Sequence, residues 1–249
     1  MSGTLRVGTS GFSYPAWAPA FYPPGLRAED LLRAYAERLS ACELNNTFYR
    51  APTEQAIQGW LARTPDSFRF AVKAQRGGSF RALLGDDQPE SVGWLTRPLD
   101  GFGSRLGSVL YRIPGEVART DERHERLTRL LELWPERFPL TMEFQDPTWQ
   151  VDETFALLRA HGAVLCTTDL DELDEPPILR VTGQFLYLRL RRTTYSDIDL
   201  DAWAARISPF LDAGLDAYVF FRHDETGISP GRAIELARRL GTPGGPRSG

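Results

Sequence analysis

An α/β protein built as a single (β/α)8 barrel is the fold class that this sequence predicts, and three observations carry the expectation. Eight short apolar runs punctuate the chain, most of them separated by stretches with helical spacing. Each run is nearly continuous in apolar character, as strands buried on both faces are. The chain has 249 residues, and barrels of this class use roughly 200–250 as one domain. An open, doubly wound sheet is the competing architecture. It calls for a Gly-rich phosphate turn after the first strand, and Gly8-Thr9-Ser10-Gly11 is not GxGxxG.

The first strand is expected at Leu5–Ser10, opening into an aromatic loop with Phe12, Tyr14, Trp17, Phe21 and Tyr22. Leu31, Leu32, Tyr35 and Leu39 then mark a helix from Ala28 to Ser40. The second strand, Ala41 to Asn45, carries Glu43 inside it and runs into Asn46-Thr47-Phe48-Tyr49-Arg50. Thr53 is placed to cap the next helix, with Glu54 in its first turn. Phe68–Lys73 is the third strand. The Gly- and Asp-rich segment from Gln75 to Asp100 reads as a long loop with short helical pieces, a candidate lid.

Ser108–Ile113 is the fourth strand, stopped by Pro114, and a helix follows from Asp121 to Trp134. Leu140–Phe144 is the fifth, ahead of Gln145, Asp146 and Trp149; the helix after it spans Asp152 to His161. Ala163–Asp169 and Phe185–Leu190 are the sixth and seventh strands, and Ile198 to Leu211 reads as helix. The eighth strand, Ala217–Phe221, ends at Arg222-His223-Asp224, before a last helix from Pro230 to Leu240. Residues 1–240 are therefore expected to form the barrel domain, and 241–249 a disordered Gly/Pro tail.

Composition narrows the function classes. The chain is 42% hydrophobic and 25% charged, with a net charge of −4, which argues against a surface that coats nucleic acid. A local basic cleft is compatible with that balance. The first residues lack a basic segment followed by an apolar core, so no secretory signal is expected. No apolar run reaches membrane-spanning length. Cys42 and Cys166 each lie in a strand-like run, outside any CxxC or Cys/His cluster. Reduced, buried thiols in a cytoplasmic protein follow.

Barrels build their chemistry where the strands finish. Those ends supply Ser10, Glu43 with Asn45, Lys73, Arg112, Glu143, Asp169, Arg189, and Arg222 with His223. Glu43 and Asn45 share a strand face, as do Tyr187 and Arg189. The plain alternative is a ring of ion pairs sealing the barrel, for instance Glu43–Lys73 and Glu143–Arg189. Repeated buried pairs are costly to desolvate, which favours a functional pocket.

Three chemistries fit these residues. Lys73, Arg112, Arg189, Arg191, Arg192 and Arg222 form a cationic mouth suited to phosphate or carboxylate oxygens. Glu43, Glu143 and Asp169, with His223, are a candidate set for a divalent metal, although no HxH or HExxH motif supports one. Glu43 and Glu143 are also a candidate pair for glycoside hydrolysis, with Trp17 and Trp149 as sugar platforms. His223 beside Asp224 is a candidate general base, whereas His124 and His161 sit on helices and read as incidental.

The residues together resemble the YecE-like family, catalogued as domain of unknown function 72, over nearly the whole chain. The resemblance rests on Gly8-Thr9-Ser10-Gly11-Phe12 with Tyr14 and Trp17, on Phe21-Tyr22-Pro23, and on Glu43 through Arg50. Phe68 through Lys73, Glu143-Phe144 with Trp149, and Arg189-Leu190 with Tyr195 complete it. The resemblance implies a TIM-type barrel and brings no reaction with it. It also implies other residues near Arg112, at Gln145-Asp146, at Arg191-Arg192 and at Arg222-His223. Glu43, Asn45, Lys73, Glu143, Asp169 and Arg189 are left as the shared candidates.

The resulting expectation is an anion-binding pocket in an enzyme, a hydrolase or other acid/base catalyst, acting on a phosphorylated small molecule or a nucleic-acid fragment. Glu43, Glu143 and Asp169 are the candidate catalytic residues. Ser10, Tyr14, Trp17, Asn45, Lys73, Arg112, Trp149, Arg189, Arg222 and His223 are the candidate binding residues. No cofactor and no membrane partner are expected. The alternatives are a non-catalytic ligand sensor or scaffold, a metal-dependent hydrolase or isomerase, and a glycosidase.

Overall fold

Eight parallel strands run around the barrel in the order β1-β8-β7-β6-β5-β4-β3-β2. They are β1 (Leu5–Thr9), β2 (Ala41–Leu44), β3 (Arg69–Lys73), β4 (Leu106–Ile113), β5 (Leu140–Phe144), β6 (Val164–Asp169), β7 (Phe185–Leu190) and β8 (Asp216–Phe221). The computed structural model describes residues 2–241; of the tail expected at 241–249, all but Gly241 lies outside the described residues. The strands are interleaved with α1 (Leu31–Ala36), α2 (Glu54–Leu61), α3 (Arg76–Leu84), α4 (Gln88–Thr96), α5 (Asp121–Leu133), α6 (Asp152–Ala160), α7 (Asp197–Asp212) and α8 (Ile228–Arg239). All eight expected strands are present, with ends that move by no more than two residues.

Between Gln75 and Asp100 the expected long loop is instead two helices, α3 and α4, that pack on each other. Gln75 accepts the Gly78 N–H through its side chain, and Asp87 does the same for Glu90, so each helix has its own cap. The glycines that suggested a loop are tolerated because tertiary packing supplies the stability that propensity withholds. Gly78 in particular sits against Leu95 and Trp94 of α4. The helix expected from Ala28 to Ser40 is shorter, with α1 ending at Ala36.

Two apolar clusters divide the interior. The larger lies between the strands and the helices. The smaller fills the barrel itself with Ala41, Ala71, Leu110, Val164, Cys166, Phe185, Tyr187, Tyr218 and Phe220. Alanines on β2 and β3 leave room for the rings of β7 and β8, which cross the lumen. Successive side chains alternate faces, so these lumenal positions, with the buried Thr141 of β5, continue upward, two residues on, to Glu43, Lys73, Arg112, Glu143, Thr168 and Arg189. The alternation thus sets a polar layer at the carboxyl ends of the strands.

The barrel closes between β1 and β2 through backbone contacts. Ser40 donates its N–H to Val7 (3.2 Å) and Gly11 donates to Glu43 (2.8 Å), around a parallel bridge between Ser10 and Glu43. Tyr35 reinforces the seam by accepting the Thr9 N–H and donating to the Ala41 carbonyl. Gly8 is what permits this closeness, because a Cβ there would fall 1.8 Å from the Ala41 carbonyl oxygen. Gly8→Ala is therefore expected to push β2 off β1 and to destabilise the fold by about 1–3 kcal/mol or more. A lowered denaturant midpoint with unchanged slope measures it, and an unshifted midpoint would contradict this account of the seam.

Candidate functional site at the barrel mouth

Arg189 stands at the centre of the polar layer, held between two glutamates. Its Nε donates to Glu43 Oε2 (3.0 Å) and its Nη2 to Glu43 Oε1 (2.8 Å), a two-pronged fork. Its Nη1 donates to Glu143 Oε1 (2.7 Å). All three residues are buried. Burial works against the Arg189 charge, and Glu143 and Glu43 more than reverse that, raising its pKa well above the ordinary value. Burial likewise opposes charge on each glutamate, and Arg189 together with Ser10 and Lys73 at Glu43, and with Arg112 at Glu143, outweighs it, holding both carboxyls below the usual range.

The two glutamates differ in what they have left to offer. Glu43 also accepts from the Ser10 hydroxyl (2.7 Å) and the Tyr187 hydroxyl (3.0 Å). With two bonds to each oxygen, its lone-pair sites are filled. Glu143 Oε1 accepts additionally from Thr168 (3.1 Å), but Oε2 is buried without a hydrogen bond. Arg112 Nε, also buried and unbonded, lies 3.6 Å from it. The outer nitrogens of Arg112 bond to no described residue, and its side chain is 30% exposed, enough for the guanidinium to face solvent.

Lys73 lies beside this group, its ammonium 4.4 Å from the centre of the Phe48 ring. Among the described residues no carboxylate comes within ion-pairing distance of it. Burial first, then repulsion from Arg189, lowers its pKa to about 8 against the pull of Glu43 and Glu143. Lys73, Arg112, Glu143, Arg189 and Arg191 line one cleft of about 600 Å³, with apolar walls that include Phe144, Leu173 and Ile178. A second cleft of about 720 Å³ adjoins it, and Arg112 and Gln145 line both.

A family model described as "Protein of unknown function DUF72" matches residues 6–247 of the chain. The chain belongs to the DUF72 family. Among curated relatives of this DUF72 barrel, UPF0759 protein YunF of Bacillus subtilis is 25% identical over 187 residues, covering 66% of this chain and 62% of YunF. UPF0759 protein YecE of Escherichia coli is 26% identical over 110 residues, covering 44% of this chain and 38% of YecE. Each match spans less than two thirds of the relative. A solved DUF72 family protein from Thermotoga maritima superposes with a TM-score of 0.80 at 26% identity, covering 96% of this chain and 98% of that one. One from Enterococcus faecalis, at 16% identity, shares the fold with a TM-score of 0.80 over 98% and 99% of the chains.

Within the DUF72 barrel, the residues singled out from sequence divide into three groups. Glu43, Glu143, Lys73, Arg112, Arg189 and Ser10 converge at the mouth. Asn45 lies just above them, adjacent to the Tyr14 hydroxyl. Tyr14 itself stacks flat on His223, with ring centres 5.2 Å apart. Burial lowers the His223 pKa, aided by Arg191 and Arg222, so the imidazole is neutral at neutral pH. Asp224 is occupied in receiving the N–H groups that open α8, so it does not orient His223.

Asp169, Trp17 and Trp149 stand elsewhere. Asp169 follows Thr168, and alternation turns its side chain away from the lumen. There it accepts from the Tyr195 hydroxyl (2.9 Å) and pairs with Arg192 (3.1 Å). Trp17 and Trp149 are fully buried, their indole N–H groups bonded to the carbonyls of Asp224 and Val117, so neither offers a face to a sugar. Arg222 reaches back toward Arg191 and Thr193 at the margin. The pairing of Glu143 with Arg189 is present, but Glu43 takes Arg189 in place of Lys73.

The carboxylates weighed for a metal are likewise not brought together. Among the described residues no group of three or more His, Cys, Asp or Glu is arranged to hold an ion, and a guanidinium fills the space between Glu43 and Glu143. Tyr187 and Thr168 are site residues that sequence reasoning did not single out. Their signal was present in the alternation, since each shares the lumenal face with Arg189 or Glu143.

Removing the Arg189 charge should expose what it compensates. Arg189→Met is expected to cost about 3–5 kcal/mol at neutral pH, because two buried carboxylates lose their cation. In the wild type both glutamates titrate below their unfolded values, so their stabilisation is present above an unfolded pKa of about 4.3 and is lost on further acidification. In the variant their carboxyls titrate above those values, so the penalty is relieved as pH falls. The stability gap should therefore narrow from pH 7 toward pH 4 in denaturant titrations; a constant gap would contradict the ionic role.

Proposed function

We propose that this barrel is an acid/base enzyme that binds a small phosphorylated or otherwise anionic substrate at the mouth. The observation that carries the reading is the incomplete pairing of Arg112, Lys73 and Glu143 beside an otherwise saturated network. Buried polar groups are almost always paired, and these face a common cleft. The Glu43–Arg189–Glu143 group carries a net charge of minus one, while Lys73, Arg112 and Arg191 bring three positive charges to the same cleft. An anion would settle that excess and supply the missing partners.

Roles follow from what each residue has free. Arg112 and Arg191 hold the anion, Arg112 through its outer nitrogens. Glu143, ionised and with one free oxygen, is the general base. Lys73, with a pKa near 8, is mostly protonated at neutral pH yet able to release its proton, and it is the matching general acid. Arg189 keeps Glu143 ionised, and Glu43, gripping the same guanidinium, keeps Arg189 in place. A glycosidase would need two carboxylates flanking a bond, whereas both glutamates here are bound to one guanidinium and Glu43 has no free lone pair. That geometry favours transfer or hydrolysis next to an anion over glycoside cleavage.

A thermal-shift screen against phosphate, sugar phosphates, nucleotides and neutral sugars tests the reading, followed by product analysis of whatever stabilises. A ligand at about 100 times its dissociation constant adds roughly 2.7 kcal/mol. Phosphorylated compounds are expected to stabilise the wild type, and Arg112→Ala to weaken binding by about 1.5–3 kcal/mol. Binding should also weaken as pH rises through about 8, where Lys73 loses its charge. Glu143→Gln should retain binding while turnover drops on the order of 100- to 10,000-fold. Stabilisation by neutral sugars alone would sink the anion site, and binding with no product from the wild type would leave a ligand sensor.

A further inference from the structure

We infer that the second cleft is a subsite for a planar aromatic group, so that the substrate joins such a group to the anion held at Arg112. The inference rests on the anion-site reading above and adds a substrate class to it. Phe80 of α3 and Tyr49 flank this cleft and are 56% and 79% exposed. Exposed aromatic rings gathered at a concave surface mark binding sites more often than scattered ones do. Neither ring is needed to close the core: the neighbours of Phe80 on α3 that pack inward are Ser79, Ala82 and Leu83.

The charges around the rings match the same ligand. Arg76 and Arg81 line this cleft with Glu116 as its acid, so its wall is cationic as well as aromatic. Guanidinium planes and aromatic faces both stack on flat π systems. The Arg81 guanidinium already lies over the Trp94 ring at 5.5 Å, an arrangement that holds it in place along α3.

Continuity between the clefts fixes the order of the ligand's parts. Arg112 and Gln145 line both, and Phe48, which lines the aromatic cleft, carries the Lys73 ammonium on its face. A ligand crossing from one cleft to the other therefore passes over Arg112. Its planar group would lie between Tyr49 and Phe80, its anionic group at Arg112, and its reacting group beside Glu143 and Lys73. A nucleoside phosphate, free or at the end of a strand, has this three-part chemistry. A simple sugar phosphate lacks the first part.

Calorimetric titration of the full chain with AMP, phenyl phosphate and ribose 5-phosphate tests the subsite. The two aromatic phosphates are expected to bind at least about tenfold tighter than ribose 5-phosphate, in line with the general strength of base–aromatic stacking. The double variant Tyr49→Ala/Phe80→Ala should abolish that preference while leaving ribose 5-phosphate affinity and the melting temperature unchanged. A dinucleotide binding tenfold tighter than AMP would identify a strand end as the source, and equal binding a free nucleotide. Equal affinity of the wild type for all three monophosphates would overturn the aromatic subsite and leave the anion site standing. No binding of any of them would overturn both.

Discussion

One buried guanidinium, shared by two carboxylates, is the interaction on which the mouth of this barrel depends. Moving a carboxylate or guanidinium out of water costs several kcal/mol even after relaxation. Arg189 is tolerable inside the barrel because Glu43 grips it along two parallel bonds and Glu143 takes a third. Neither glutamate could stay ionised there without it. The three charges are thus a unit, and hydroxyls from Ser10, Tyr187 and Thr168 complete it. The unit draws on four strands and the β1 end, so it also ties the barrel's rim together.

The fold makes this arrangement available through alternation. On four of the strands that contribute, the residue two positions before the charged one belongs to the packed lumen: Ala41 below Glu43, Ala71 below Lys73, Leu110 below Arg112, Tyr187 below Arg189. The apolar plug beneath excludes water from below, which strengthens each electrostatic contact above it. Rings and methyl groups at one level and charges at the next are consequences of a single rule of strand geometry. The polar layer is the first one that the plug does not cover.

The strand pattern was legible because buried parallel strands write themselves as continuous apolar runs, and breaks between them are sharp. The helices α3 and α4 were not, since their stability comes from packing against each other; Gly77, Gly78, Gly85 and Gly93 conceal that in the sequence. At the site, the charges that end the strands were readable one strand at a time, but their partners were not. Asp169 shows the reason. A strand's last residue and the one before it look equally terminal in sequence, yet point to opposite faces, and here Thr168 took the lumenal place. Trp17 and Trp149 show another limit, because an aromatic residue in a loop reads the same whether it walls a pocket or fills a core.

Glu43 and Glu143 differ in how far their hydrogen-bonding capacity is filled. A network evolved only to seal the barrel would be expected to saturate both glutamates and pair Lys73 with one of them. Instead the donors converge on Glu43 until no lone pair is left, while Glu143, on the same cation, keeps Oε2 unbonded and turned toward Arg112 at a distance too long for a hydrogen bond. Leaving such groups unsatisfied costs about 1–3 kcal/mol each, more when charged, and the cost falls on the side of the unit that borders both clefts. Saturation on one flank and vacancy on the other is the asymmetry expected when Glu43 and Arg189 form the rigid support and Glu143, Arg112 and Lys73 meet the ligand.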